Sequence, residues 1–229
     1  MSTGIAATPS TTVTPAGPGT ARATLIATLL SLASLAVAVV VLWQPWGERD
    51  ALGYADIAPH RDAAWLGTLV DGLAFAVVGV TLGLAVCILA PKRGSTPAAI
   101  GAVATGLGGI AFGTGMFSFG ALAWFATDTS TLPAAAGTAL MSRVEGAPGH
   151  LMAVQMTGFL LFTVGSLILM AALWRARSVP RWLPVAFLVL TVALFALSGV
   201  ALNVVEAAQF LLLPVIGFYL VRAGGRTAT

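Results

Sequence analysis

Two carboxylic acids lie in stretches of sequence that are otherwise apolar. Asp71 is the third residue of LVDGLAFAVVGV, and Glu206 lies within NVVEAAQFLLL. Ionisable residues inside membrane spans are costly, and they usually face protein or water rather than lipid. A carboxylic acid in such a position is suited to general acid catalysis on a membrane-dissolved substrate, or to proton-coupled transport. Asp71 and Glu206 are therefore the candidate catalytic residues.

Helix geometry places these two acids at comparable depths. Asp71 follows Trp65 by six residues, roughly 9 Å along a helix axis. Glu206 precedes Arg222 by 16 residues, roughly 24 Å. We therefore expect both carboxyl groups in the outer half of a membrane, away from the midplane.

Three further polar side chains are expected near that depth and are the candidates for ligand binding: His150, Gln155 and Asn203. Together with the acids they predict an outward-facing polar pocket. A second interpretation is that Asp71 and Glu206 lie in the first turns of their helices, where the helix dipole favours negative charge. The sequence leaves both interpretations open.

No cofactor and no metal ion is expected. The chain contains two histidines, which is too few for a zinc site with three histidine ligands. Its single cysteine, Cys87, excludes an intrachain disulfide and any CxxC motif. The segment HLMAVQM could offer soft ligands to Cu(I), but packing methionines explain it equally well. The glycine-rich GLGGIAFG is read as helix packing, because no phosphate-loop motif is present.

Composition indicates that lipid is the solvent. The 229 residues are 58% hydrophobic and 8% charged, whereas about a quarter of the residues in a soluble domain are charged. The formal charge of +3 does not indicate nucleic-acid binding, because the basic residues lie in short loops between apolar segments.

The predicted fold is an all-α bundle of six transmembrane helices. Each apolar stretch has about the 20 residues needed to cross a hydrocarbon core of ~30 Å. The predicted spans cover residues 23–43, 66–90, 98–126, 151–174, 183–202 and 205–221. They form one domain, residues 22–222, between a disordered N-terminal tail, residues 1–21, and a C-terminal tail, residues 223–229.

Charge asymmetry predicts the orientation. Eight basic residues fall on one predicted side, which the positive-inside rule makes the cytoplasmic side of the inner or plasma membrane; they are Arg22, Lys92, Arg93, Arg175, Arg177, Arg181, Arg222 and Arg226. The acids in loops fall on the opposite side. Both termini are therefore expected in the cytoplasm.

The third predicted span is dense in glycine. Gly101, Thr105, Gly109 and Gly113 recur every four residues, and small side chains at this spacing let helix backbones approach closely. The pattern predicts a central helix packed inside its own bundle, or contact with a second copy or a partner membrane protein through Gly109 and Gly113. In the last span, Pro214 is expected to kink the helix.

Two resemblances add expectations. The segment LLFTVGSLILMAALWRARSVPRWLP, residues 160–184, resembles a loop signature of small uncharacterised polytopic membrane proteins of high-GC bacteria, and the likeness implies topology. In architecture the chain is similar to integral-membrane terpene cyclases, in which paired acids protonate a prenyl chain. That likeness implies an acid role for Asp71 and Glu206, with Phe75, Phe159 and Phe210 stabilising a carbocation.

Two functions are therefore expected. The first is a multi-pass membrane protein that transports or binds a small molecule, or serves as an accessory subunit, through an outward-facing pocket. The alternative is a membrane-embedded enzyme that uses acid catalysis on a lipid or isoprenoid.

Overall fold

The computed structural model describes residues 18–44, 53–146 and 149–226, which are almost entirely helical. In chain order the α-helices of these ranges are α1 (Pro18–Trp43), α2 (Tyr54–Ile57), α3 (Arg61–Leu89), α4 (Ser95–Ala126), α5 (Ala134–Gly146), α6 (Leu151–Ala176), α7 (Trp182–Ala196), α8 (Gly199–Leu211) and α9 (Leu213–Arg226), with a 3₁₀ turn at Ala58–His60. Most of the predicted N-terminal tail lies outside the described residues, but α1 already begins at Pro18. Likewise α9 continues into the predicted C-terminal tail.

Five helical stretches of the described chain are long and apolar enough to cross a bilayer. They are Gly19–Trp43, Tyr54–Leu89, Ser95–Ala126, Met152–Ala176 and Gly199–Gly225, the last of which combines α8 and α9. The chain is thus an all-α, multi-pass membrane protein. The apolar helix α7 has 15 residues, roughly 22 Å, and is shorter than a hydrocarbon core of ~30 Å.

The predicted fifth span, residues 183–202, is wrong in its C-terminal part. Helix α7 ends at Ala196, Leu197 and Ser198 are extended, and Gly199 has a φ of 60°. Residues 200–202 therefore belong to α8. Glycine tolerates positive φ, so Gly199 permits a break that apolar content alone does not reveal.

The predicted kink at Pro214 is confirmed. Helix α8 ends at Leu211, and α9 begins at Leu213. Between them, the Leu212 N–H donates to the Gln209 carbonyl at 3.3 Å. Proline has no N–H to donate, and its ring clashes with the carbonyl four residues earlier, so the regular bonding pattern cannot continue.

Successive long helices run in alternating directions. Gly72 of α3 contacts Gly113 of α4, while Gly83 contacts Ala102, so these two helices are antiparallel. Helices α4 and α6 are also antiparallel, and α7 runs opposite to both α6 and α8. The Thr20 hydroxyl donates to the Gly224 carbonyl at 3.5 Å, so the start of α1 and the end of α9 share one end of the bundle.

Helix α4 lies between α3 and α6, and its glycines make both contacts possible. A methyl group on Gly109 would lie 2.6 Å from the Phe75 carbonyl oxygen of α3. One on Gly113 would meet the Gly72 carbonyl, whereas one on Gly108 would meet the Phe162 backbone nitrogen of α6. Gly109 and Gly113 thus pack within the chain.

The stripe of small residues predicted on α4 does not form a single face. Gly101 contacts Leu169 of α6, whereas Gly109 and Gly113 contact α3. Residues four apart are offset by about 40° around a helix, so three such steps rotate the stripe by about 120°. One stripe therefore serves two neighbouring helices.

The loop expected at residues 127–150 contains α5, which packs onto α2 and the end of α4. Met141 of α5 is buried. Nearby, Arg61 pairs with Asp128 at 2.9 Å, and its guanidinium lies 4.9 Å from the centre of the Trp124 ring. Hydrogen bonds from the Ser130 hydroxyl and from Arg61 hold the pKa of Asp128 well below its usual range. These contacts order this end of the bundle.

Candidate functional site

A cavity of about 390 Å³ lies among α4, α5, α6, α7 and α8. It exists because α7 ends at Ala196, beside the level of Glu206, and so does not fill the groove between α6 and α8 beyond that point. Helix α5 covers the remaining space with Met141 and Val144. The volume falls in the range of about 300–1,000 Å³ that is typical of small-molecule sites.

Apolar side chains form most of the cavity wall. The lining residues are Phe112, Phe119, Leu122, Met141, Val144, Met152, Gln155, Met156, Phe159, Leu194, Phe195, Leu202 and Glu206. The polar groups among them are the Gln155 amide and the Glu206 carboxyl. The Gln155 Nε2 donates to the Met116 sulfur at 3.1 Å. The sequence predicted a polar pocket, and the structure shows an apolar cavity with two polar groups.

The predicted site residues are divided between different environments. Gln155 and Glu206 line the cavity, and the Glu206 side chain is buried with 3% of the residue exposed. Asp71 and Asn203 are also buried, but they do not line the cavity. His150 is exposed at the N-cap of α6 and lies outside the cavity. The structure thus leaves His150 out of the predicted pocket.

Asp71 and Glu206 lie at one level of the bundle. The Phe75 and Phe210 rings are 5.0 Å apart, and each follows its acid by four residues, one helical turn. Helices α3 and α8 run in the same direction, and each acid lies one turn before its phenylalanine. The contact between the two rings therefore places both acids at the same height. The predicted comparable depth is therefore reproduced by the helix packing.

The interpretation of Asp71 and Glu206 as helix-capping acids is wrong. The N-cap residues of their helices are His60 and Ser198. Helix α3 begins earlier than expected, at Arg61, so Asp71 lies in its third turn. Glu206 lies in the second or third turn of α8. Favourable interaction with the dipole is confined to the first turn, so it does not explain either residue.

Six phenylalanine rings form a continuous cluster beside the acids. Phe75 lies at its centre, 4.3 Å from the Phe112 ring and 5.2 Å from the Phe162 ring. The cluster comprises Phe75, Phe112, Phe159, Phe162, Phe195 and Phe210. Sequence reasoning singled out three of these rings. The others belong to helices whose contacts were unknown, so no sequence signal joined them to the site.

A second, smaller void of about 20 Å³ continues inward from Glu206. Its polar lining consists of Thr163, Ser166, Glu206 and Gln209. The Gln209 Nε2 donates to the Thr191 hydroxyl at 2.8 Å, which ties α8 to α7 below the main cavity. This bond stabilises the C-terminal half of the short helix α7, which ends at Ala196.

The described residues hold no group of three or more histidine, cysteine, aspartate or glutamate side chains suited to a metal ion. No family model, curated protein or solved structure matches the chain. The loop signature and the likeness to terpene cyclases therefore remain predictions, and the functional argument depends on the cavity.

Proposed function

We propose that the chain is a six-pass protein of the inner or plasma membrane that binds a small lipid-soluble molecule in its outward-facing cavity. Binding would serve transport of that molecule, or its recognition within a larger assembly. The observation that carries the proposal is the apolar cavity of about 390 Å³ with Gln155 and Glu206 in its wall. A few polar groups in an apolar site are typical of small-molecule binding.

The helix directions support six crossings with both termini in the cytoplasm. Helix α7 counts as the fifth crossing, because the extended residues Leu197 and Ser198 continue its path toward α8. The turn between α3 and α4 contacts the end of α6, where Gly94 lies next to Ala172. The basic residues of these segments thus lie at one end, as a cytoplasmic face requires.

The rim of the cavity supports a ligand that arrives from the bilayer. Met156 of α6 is 45% exposed and Phe195 of α7 is 64% exposed, and both line the cavity. These residues lie in apolar helices whose outer surfaces face lipid. A molecule dissolved in the membrane would therefore reach the cavity by passing between α6 and α7.

A test fills the cavity with a larger side chain. Native mass spectrometry of the protein extracted from cell membranes is expected to show one small-molecule adduct. Leu202→Trp should lower adduct occupancy at least tenfold, because Leu202 lines the cavity. The matched control is Leu188→Trp on α7, where Leu188 is 50% exposed and does not line the cavity. An adduct that is absent from the wild type, or equally abundant in both variants, would contradict the proposal.

The aromatic cluster favours a second candidate function, acid-catalysed cyclisation of an isoprenoid. Rings can stabilise a carbocation through their faces, and Asp71 and Glu206 would supply the proton. Incubation of the purified protein with C15 and C20 prenyl substrates should then yield cyclic products detectable by gas chromatography. Asp71→Asn or Glu206→Gln should abolish the products while the protein remains folded. Product formation that survives both substitutions would exclude this role.

A further inference from the structure

We propose that the cavity selects a lipophilic organic cation, a molecule with one delocalised positive charge inside an apolar shell. This inference rests on the proposed binding function and adds the chemical class of the ligand. It is carried by the described residues that line the membrane-facing cavity, which include one acid and several aromatic rings and no basic side chain.

The ionisable side chain in the described lining of the cavity is an acid. Among the described side chains that line the cavity, Glu206 is the ionisable one, and none is a lysine, arginine or histidine. The basic residues of the described chain lie instead at helix ends and in turns. An anionic ligand would therefore lie beside the Glu206 carboxyl with no basic side chain among the described lining residues to balance its charge, and burying such a charge is costly. A cation would be complementary to the acid.

The rings add a second, independent preference for a cation. Four phenylalanine rings line the cavity: Phe112, Phe119, Phe159 and Phe195. The rings of Phe112 and Phe159, which also belong to the larger cluster, have their centroids 6.2 Å apart. The face of an aromatic ring attracts a cation, and the attraction grows when water is excluded. The rings also provide apolar surface for the ligand's outer groups.

The methionines suit a ligand of irregular shape. Met141, Met152 and Met156 contribute flexible thioether side chains to the wall. Methionine adapts to different ligand shapes and is common at promiscuous binding surfaces. Together with the lateral rim at Met156 and Phe195, these walls fit bulky amphiphiles that already partition into lipid.

The experiment compares three probes of related shape and different charge. They are tetraphenylphosphonium, a cation; tetraphenylborate, an anion of nearly the same shape; and triphenylphosphine oxide, which is neutral. Equilibrium dialysis against the full-length protein in lipid nanodiscs should show one saturable site for tetraphenylphosphonium per chain. Tetraphenylborate and triphenylphosphine oxide should bind at least tenfold more weakly.

Two variants separate the acid from the rings. Glu206→Gln should weaken tetraphenylphosphonium binding at least tenfold, while Asp128→Asn, which changes an acid outside the cavity, should leave it unchanged. Phe195→Leu keeps an apolar side chain on the exposed rim and should weaken the cation several-fold, with little effect on the neutral probe. It provides a second measurement should Glu206→Gln fail to fold.

Several results would overturn the inference while leaving the cavity function intact. Equal affinity for the cation and the neutral probe, or tighter binding of the anion, would show that charge does not select the ligand. Unchanged cation binding in folded Glu206→Gln would exclude the acid as the determinant. Failure of all three probes, while the small-molecule adduct persists in the wild type, would exclude this ligand class. Loss of the adduct as well would refute the proposed function itself.

Discussion

A pair of glycine substitutions on α4 tests the helix packing that creates the site. Gly109 and Gly106 are three residues apart in the same helix but have different surroundings. A methyl group on Gly109 would lie 2.6 Å from the Phe75 carbonyl oxygen, whereas one on Gly106 would have Val80 Cγ2, at 4.0 Å, as its nearest neighbour. Gly109→Ala should therefore destabilise the bundle, and Gly106→Ala should not.

The magnitude follows from the distance. Ordinary contact begins near 3.4 Å, so the α3 backbone at Phe75 must move by roughly 0.8 Å to accept a methyl on Gly109. Overpacking of this kind typically costs about 1–3 kcal/mol. Alanine is preferred over glycine inside a helix by about 0.5–1 kcal/mol, which Gly106→Ala gains without a clash. Both variants share this gain, so they should differ in stability by the overpacking cost alone, about 1–3 kcal/mol.

Thermal unfolding in a mild detergent, followed by size-exclusion chromatography, measures this difference. For a chain of this size about 2–4 °C corresponds to 1 kcal/mol, so the Tm of Gly109→Ala should lie about 2–12 °C below that of Gly106→Ala. Gly106→Ala should retain the wild-type Tm or raise it slightly. The reasoning is refuted if Gly109→Ala is as stable as Gly106→Ala, because α3 and α4 would then not be in close contact.

Three further predictions concern electrostatics, polar packing and orientation. The pKa of Asp128 is depressed in the folded protein, so the ionised Asp128 side chain stabilises the fold above its ordinary pKa of 3.8, and this stabilisation is lost as the pH falls through the folded pKa. The Tm difference between wild type and Asp128→Asn should therefore be constant above about pH 4 and shrink at lower pH. Thr191→Val should cost about 1–3 kcal/mol by leaving the buried Gln209 amide without its acceptor, whereas Gln209→Leu should cost less because the Thr191 hydroxyl still donates to the Phe187 carbonyl. The combination of both should cost less than the sum in a double-mutant cycle of unfolding free energies. In a background whose single cysteine is replaced by alanine, Ser130→Cys should react with an impermeant maleimide in intact cells and Lys92→Cys should not; labelling of Lys92→Cys alone would reverse the proposed orientation.

The positions of the long helices along the chain were largely predictable from composition. Apolar runs of about 20 residues have a lower free energy in lipid than in water. The helices α1, α3, α4 and α6 therefore follow directly from the sequence. The kink before Pro214 was predictable because proline lacks the N–H that a continuous helix needs. The common level of Asp71 and Glu206 in the bundle was predictable because helix rise converts residue number into distance.

The site itself was predictable in part. Glu206 and Gln155 were singled out because polar side chains in apolar segments are costly unless they serve a purpose. His150 was included through its position in the chain, but the turn before α6 leaves it exposed. The role of Phe112 and Phe195 in the cavity depends on contacts between separate helices, which residue spacing along one helix does not encode.

By itself, the sequence determined the apolar solvent of this protein, its helical fold and the common level of its two acids, because transfer free energies and helix rise act locally along the chain. The tertiary structure alone decided that α7 ends beside Glu206 and that α5 covers the space left over. Both depend on how far each helix extends relative to its neighbours. The cavity is a property of that mismatch in length, and no single segment contains it.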